Sequence, residues 1–382
     1  MNPTFQRPSG TLELAEIVRR HGHRLGAVIP EERRILRAII SCRTAALGGH
    51  VEQCDHCHHQ RIAYNSCRNR HCPRCQGSAC AKWMAARARE LLPVEYFHVV
   101  FTLPDTFNSL ALSNKRVIYN LLFDAVAQTL LQVAANPKHL GAKIGFLAIL
   151  HTWGQNLSLH PHLHCVIPGG GLSPDGQWIA CRKGFFLPVR ILSRVFRGKF
   201  IDLLKRAWIA GEIHGIENDS AFARLIDASV KHDWVVYAKR PFGGPGQVLK
   251  YLARYTHRIA ISNRRLISMD DRNVTFRWKD YAHHNRPRTM TLDGREFLRR
   301  FLMHAVPRGF MRIRHFGLLA NRVRSANLSL CRRLIGSVHT VNWLDPMPQL
   351  SLCPICQRGH LIAGPNLSPP QLRLLVLRLD SS

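Results

Sequence analysis

Residues 160–168 read HPHLHCVIP. Side chains alternate across a β-strand, so His160, His162 and His164 are expected on one face while Leu163 and Cys165 turn toward a core. Imidazoles converging from one strand face can hold a divalent cation and leave positions open for a phosphate. Two chemistries suit such a strand: a bound metal that polarises a scissile phosphate, or a histidine that is itself the nucleophile. A separate nucleophile elsewhere in the chain decides between them.

Outward from this strand the pattern is mixed. Residues 144–153 and 157–167 are two apolar, β-prone runs, ended by the Gly169-Gly170-Gly171 turn, and 95–103 (EYFHVVFTL) reads as a buried strand. Helical spacing over 112–135 aligns Val117, Leu121, Leu122, Ala125, Leu130 and Val133, and 192–210 and 295–304 read as further helices. Short strands are expected at 234–238, 265–269, 274–278 and 288–292, helices at 12–24 and 31–45, and the tail from 340 has little period. Strands and helices that mix without strict alternation indicate an α+β fold.

The separate nucleophile lies in QVLKYLARYTHR (247–258), where Tyr251 and Tyr255 stand four residues apart on one helical face. Lys250, Arg254, His257 and Arg258 flank the pair. Such cations can lower a phenol's pKa or hold neighbouring phosphates, and unpaired Arg and Lys are rarely buried. Trp153, Trp278 and Tyr281 are candidates to stack unpaired bases.

Cys54-x-x-Cys57 and Cys72-Pro-Arg-Cys75 are paired-cysteine knuckles whose thiolates together would complete a structural zinc site. Cys42, His50, Cys67, His71 and Cys80 surround them and offer ligands for a second ion. Arg61, Arg68, Arg70 and Arg74 lie in the same stretch, where a zinc-pinned loop can fix cations against phosphates. Cys353-Pro-Ile-Cys356 repeats the knuckle near the C-terminus, with His360 beside it and Cys331 as the nearest further cysteine, an incomplete ligand set.

Composition narrows the partner. The chain has 382 residues, with 54 Lys and Arg against 24 Asp and Glu, a formal net charge of +30. A folded chain with that imbalance calls for a polyanion, nucleic acid first. Residues 1–11 are polar, the first apolar stretch carries Glu13, Glu16, Arg19 and Arg20, and no run of about 18 apolar residues is present. A cytoplasmic, nucleoid-associated protein without a membrane segment is expected, and its twelve cysteines then point to metal rather than disulfides.

At these residues the chain resembles the two-tyrosine rolling-circle transposases of the insertion sequence 91 family, whose nuclease is of the His-hydrophobic-His (HUH) class. The matching segments run in order: CRTAALGGH (42–50), SCRNRHCPRCQ (66–76), HPHLHCVIPGGG (160–171), FGGP (242–245), YLARYTHRIAISNRRL (251–266) and RIRHFGLLANR (312–322). The resemblance implies that His162 and His164 bind a catalytic Mg²⁺ or Mn²⁺. The third ligand stays open among Gln155, His160 and His257. Tyr251 and Tyr255 would be paired nucleophiles that cut single-stranded DNA at transposon ends and target, leaving 5′-phosphotyrosine bonds, with Arg254 and Arg258 on the DNA. It implies an antiparallel-sheet nuclease core, ferredoxin-like or RNA-recognition-like, with the histidine strand central. The expected division is a helical segment 1–40, a zinc-binding DNA-recognition domain 41–92, the nuclease 93–335 and a tail 336–382 with a further knuckle. A histidine-triad nucleotide hydrolase would explain the strand but not the tyrosines, the knuckles or the charge. A decayed, binding-only protein would have no reason to keep His162, His164, Tyr251 and Tyr255 together.

Overall fold

The computed structural model describes residues 12–75, 83, 86–242, 247–248, 260–280, 283–284, 286–336 and 351–380. The chain divides into two units: unit one takes residues 1–81, 257–302 and 344–382, and unit two takes 82–256 and 303–343. The cysteine-rich segment and the C-terminal tail, far apart along the sequence, therefore belong to one unit.

Unit one opens with α1 (Leu14–His21), α2 (Pro30–Ser41) and a hairpin of β1 (Gly49–Cys54) and β2 (Gln60–Tyr64). Unit two follows with β3 (Tyr96–Thr102), α3 (Asn108–Ser113), α4 (Lys115–Ala135), β4 (Gly145–Trp153) and β5 (Leu159–Pro168). It continues through β6 (Gly170–Leu172), β7 (Trp178–Ala180), α5 (Val189–Ile209), α6 (Asp219–Val230) and β8 (Val236–Phe242). The chain returns to unit one for β9 (Leu266–Met269), β10 (Asn273–Asp280), β11 (Arg286–Asp293) and α7 (Gly294–Met303). Unit two then receives β12 (Ile313–Gly317) and α8 (Arg324–Ile335), and unit one receives β13 (Leu361–Leu367) and α9 (Pro369–Asp380).

Unit two is built on a five-stranded sheet of order β12-β4-β5-β3-β8 with every neighbouring pair antiparallel. The histidine strand β5 is thus central, and the fold is α+β as its sequence pattern indicates. One sheet face turns Phe97, Val99, Phe101, Leu163, Cys165 and Ile167 into a core shared with α4 and α5. Burying such side chains is worth about 1.5–3 kcal/mol each, so the alternation of β5 holds its histidines on the opposite face. By length and composition α4 could cross a membrane, contrary to the expectation of no such segment, but Ile118, Tyr119, Leu122, Phe123, Val126 and Leu130 are fully buried in this core.

Among the described residues, unit one contains two three-stranded sheets, β13-β1-β2 and β11-β10-β9. Helix α2 starts as its sequence dictates: Pro30 occupies the first turn and the Glu32 carboxylate accepts from the Ile29 amide at 3.3 Å. Gly49 permits close strand approach, because a Cβ there would sit 2.5 Å from the Ala63 carbonyl oxygen. Ion pairs Arg24–Asp293 and Arg74–Glu13 tie separate segments of this unit together. The tail read as aperiodic supplies β13 and α9. Most β13 side chains are exposed, so the strand has no apolar alternation to read and exists through its pairing with β1.

Candidate functional site

On the central strand, His162 lies opposite His151 of β4 and Thr102 of β3, and His164 lies opposite Ile149 and Val100. His151, His162 and His164 are all buried, and one donor nitrogen from each falls within 4.8 Å of the others. The two Nε2 atoms of His162 and His164 stand 3.1 Å apart. The Nδ1 atoms point elsewhere: that of His162 donates to the His160 carbonyl at 2.6 Å, and that of His164 lies 2.8 Å from His98 Nε2. With its Nδ1 proton committed to a carbonyl, His162 presents an Nε2 lone pair to the cluster, and His164 turns its own Nε2 to the same point. Burial pushes His162 down to about 3 and His98 likewise to about 3, so both rings are neutral at pH 7. Neutral imidazole is the form that binds a cation.

His160 is exposed, and its ring, 5.0 Å from that of His162, lies outside the cluster. The third converging imidazole is His151, which the sequence reading did not name. It sits in the uniformly buried run of β4, and only the β4–β5 register reveals its proximity. Trp153 is buried and stacks on His151 with centroids 4.6 Å apart and planes at 18°, so it holds that ring rather than offering a platform for bases. Trp278 is half-buried, and its indole nitrogen is enclosed without a hydrogen-bond partner.

Tyr251, Tyr255, Arg254, Arg258, His257 and Tyr281 lie outside the described residues. Gln247 and Val248, just before the tyrosines, are helical, and Val248 is fully buried against Tyr96, Leu147, Ile149 and Val166. Val166 lies two residues beyond His164 on the same strand face, and Ile149 is His164's cross-strand partner. Residue 248 is therefore packed on the histidine face. Lys239 of β8 lies opposite His98, and its charge adds to the lowering of that ring's pKa.

In unit one the cysteines sort differently from their spacing. Cys42, Cys67, Cys72 and Cys75 form one cluster; Cys54, Cys57, Cys353 and Cys356 form another. The expected pairing of Cys54 and Cys57 with Cys72 and Cys75 in one site does not occur. The hairpin explains this: β2 runs back along β1 until Tyr64 lies opposite Gly49, about 17 Å from the Cys54 end for a six-residue strand. Residues 67–75 consequently arrive beside Cys42, where Arg74 donates to the Cys42 carbonyl at 2.7 Å. In this first cluster Cys75 Sγ lies 3.5 Å from the Sγ atoms of both Cys42 and Cys67. Four thiolates around one zinc at about 2.3 Å stand roughly 3.8 Å apart, so the donor set fits that ion. His71 is buried but bonds Asn69, and Cys331 lies in unit two against Leu92, Leu318 and Leu328. Arg61 and Arg74 are engaged by Glu52 and Glu13, which withdraws them from the cations expected to face phosphate.

Comparison with known proteins decides the family. A family model described as "Transposase zinc-binding domain" matches residues 15–103, and one described as "Putative transposase" matches residues 145–327. "Putative transposase y4qJ" of Sinorhizobium fredii is 51% identical over 374 residues, spanning 92% of this chain and 94% of that one. The chain belongs to the insertion sequence 91 family of transposases. "Transposase for insertion sequence element IS801" of Pseudomonas savastanoi pv. phaseolicola is 29% identical to it across 85% of this chain and 79% of that one. Among solved structures, the conjugative relaxase TrwC in complex with oriT DNA, metal-free, aligns with 62% of the transposase and 71% of its own chain, at 14% identity and a TM-score of 0.24. The transposase match contains His151, His162, His164, Tyr251 and Tyr255. The zinc-domain match contains the whole first cysteine cluster but only Cys54 and Cys57 of the second.

Proposed function

We propose that this transposase cuts single-stranded DNA by attack of Tyr251 or Tyr255 on a phosphodiester held at His151, His162 and His164. The observation that carries the reading is the convergence of three buried imidazoles on the sheet face against which Val248 packs. Tyr251 and Tyr255 follow Val248 by three and seven residues in the sequence, which is why they are the nucleophiles proposed for this face.

The three histidines would hold a divalent cation, which when bound draws charge off the phosphate and lines it up for displacement. Their donors are all nitrogen, which suits Mn²⁺ better than the oxygen-seeking Mg²⁺. His98 and the His160 carbonyl fix the tautomers, and the buried sheet face limits access of competing water. In the cleavage step the tyrosine oxygen bonds to phosphorus, the bond from phosphorus to the 3′ oxygen breaks, and that oxygen leaves with a proton as a 3′-OH. The 5′-phosphotyrosine conserves the bond energy, so a 3′-OH can attack it and restore a phosphodiester without nucleotide hydrolysis. A second tyrosine allows a second strand end to be held during exchange between donor and target. Arg254 and Arg258 are assigned to neighbouring phosphates, and the zinc-binding unit to transposon-end DNA. The reaction takes place in the cytoplasm, on nucleoid DNA.

The test is a denaturing-gel assay on single-stranded oligonucleotides that carry the element's ends. A covalent adduct that requires Mn²⁺ and disappears in Tyr251→Phe/Tyr255→Phe and in His162→Ala/His164→Ala is expected. Adduct formation that survives either double substitution would overturn the proposal.

A further inference from the structure

We infer that the transposase holds a second zinc ion, bound by Cys54, Cys57, Cys353 and Cys356, which clasps the C-terminal segment onto the β1–β2 hairpin. All four sulfurs lie within 4.8 Å of one another. Cys54 and Cys356 stand 3.7 Å apart and Cys57 and Cys353 3.6 Å, close to the roughly 3.8 Å edge of a tetrahedral zinc–thiolate site. Two of these ligands lie far beyond the segment matched by the zinc-binding domain.

The two knuckles share one backbone geometry. In each, the residue after the second cysteine adopts a left-handed conformation, His58 at φ 56° and Gln357 at φ 52°. In each, that residue's amide donates to the carbonyl of the first cysteine: His58 to Cys54 at 3.2 Å, Gln357 to Cys353 at 3.0 Å. Left-handed non-glycine residues are costly and recur where surrounding structure demands them. The turns also aim backbone N–H groups at sulfur. His56 and Cys57 donate to Cys54 Sγ, and Gly359 donates to Cys356 Sγ, each at 3.4 Å. Such donors favour the thiolate, the form that binds zinc.

The contact between knuckles is built to be tight. A Cβ on Gly359 would lie 2.6 Å from Cys54 Sγ and 2.4 Å from Asp55 Oδ1, so only glycine fits there. The Asp55 carboxylate accepts from the His360 amide at 2.7 Å, and the Asp55 amide donates to the His360 carbonyl at 3.1 Å. β13 then extends the sheet from Cys54–Leu361 to Gly49–Leu367. An ion here closes a chain loop of nearly three hundred residues, from Cys57 to Cys353, and a clip of that length removes much unfolded-chain entropy.

The test uses the full-length protein loaded with zinc or with Co²⁺, which reports thiolate ligation through sulfur-to-cobalt absorption. Cys353→Ser/Cys356→Ser should lose one zinc per chain and about half of that absorption relative to wild type; an unchanged zinc content and cobalt spectrum would overturn the inference. If this variant does not fold, the wild type suffices. Under native conditions Cys54, Cys57, Cys353 and Cys356 should resist alkylation together and become reactive together when zinc is chelated, read by peptide mass spectrometry. Alkylation of Cys353 and Cys356 before chelation, while Cys42 and Cys72 stay protected, would equally refute it.

Discussion

Replacing His98 should weaken metal binding without removing any metal ligand. His98 Nε2 lies 2.8 Å from His164 Nδ1, both rings are buried, and they stack with planes at 11°. When His164 Nε2 binds the cation, its Nδ1 must carry the proton and donate to His98. Burial first, and then the charge of Lys239, hold His98 neutral at about 3, so that its lone pair is available to accept. His98→Phe keeps the aromatic volume but removes the acceptor of this buried hydrogen bond, a loss of about 1–3 kcal/mol. Loss of an outer partner of a metal-binding histidine typically lowers affinity about 10–100-fold, or roughly 1.4–2.7 kcal/mol, in the same range. Titration of Mn²⁺ by calorimetry should show that weakening, and adduct yield should recover at saturating Mn²⁺. His98→Gln, whose amide oxygen can accept, should recover most of the affinity. The reasoning fails if His98→Phe binds Mn²⁺ within threefold of wild type, or if the glutamine variant is as weak as the phenylalanine one.

His304 is fully buried, with Nε2 3.2 Å from the Leu157 carbonyl, and burial pushes it down to about 4 against an ordinary 6.5. Because its folded pKa is lowered, its full contribution is present above pH 6.5 and is lost as pH falls toward 4. Denaturant melts should show wild type losing about 2 kcal/mol at pH 5 that His304→Gln does not lose, and equal losses would exclude the effect. Gly317 has φ 59°, and a Cβ there would meet the Ile144 carbonyl oxygen at 2.0 Å, so Gly317→Ala should destabilise unit two by at least about 2 kcal/mol in the same melts. Cys42→Ser/Cys72→Ser removes half of the first cluster and should cost one zinc by elemental analysis, with greater proteolysis of residues 12–75 and little change in unit two.

The sheet core was legible because burial imposes a period. Leu163 and Cys165 alternate with His162 and His164 in one short run, and the apolar lines of α4 and α5 are long. Residues that meet only through pairing were not legible. His151 joins the site through the β4–β5 register, and His98 through the β3–β5 register, and neither strand carries a local mark of it. The knuckles were plain in spacing, yet their partners depended on β2 reversing along β1 and on β13, whose exposed side chains give no pattern. Spacing along a chain identifies ligand pairs; the sheet decides which pairs share an ion.

The most direct test of a tyrosine nucleophile is to locate the linked nucleotide. Trypsin cuts after Lys250, Arg254 and Arg258, so Tyr251 and Tyr255 fall on separate peptides, YLAR and YTHR. After reaction of the full-length transposase with a single-stranded end and Mn²⁺, nuclease trimming and mass spectrometry should find a nucleotide 5′-phosphate on one or both of these peptides. Its presence instead on the peptide that contains His160, His162 and His164 would make a histidine the nucleophile and contradict the proposed chemistry.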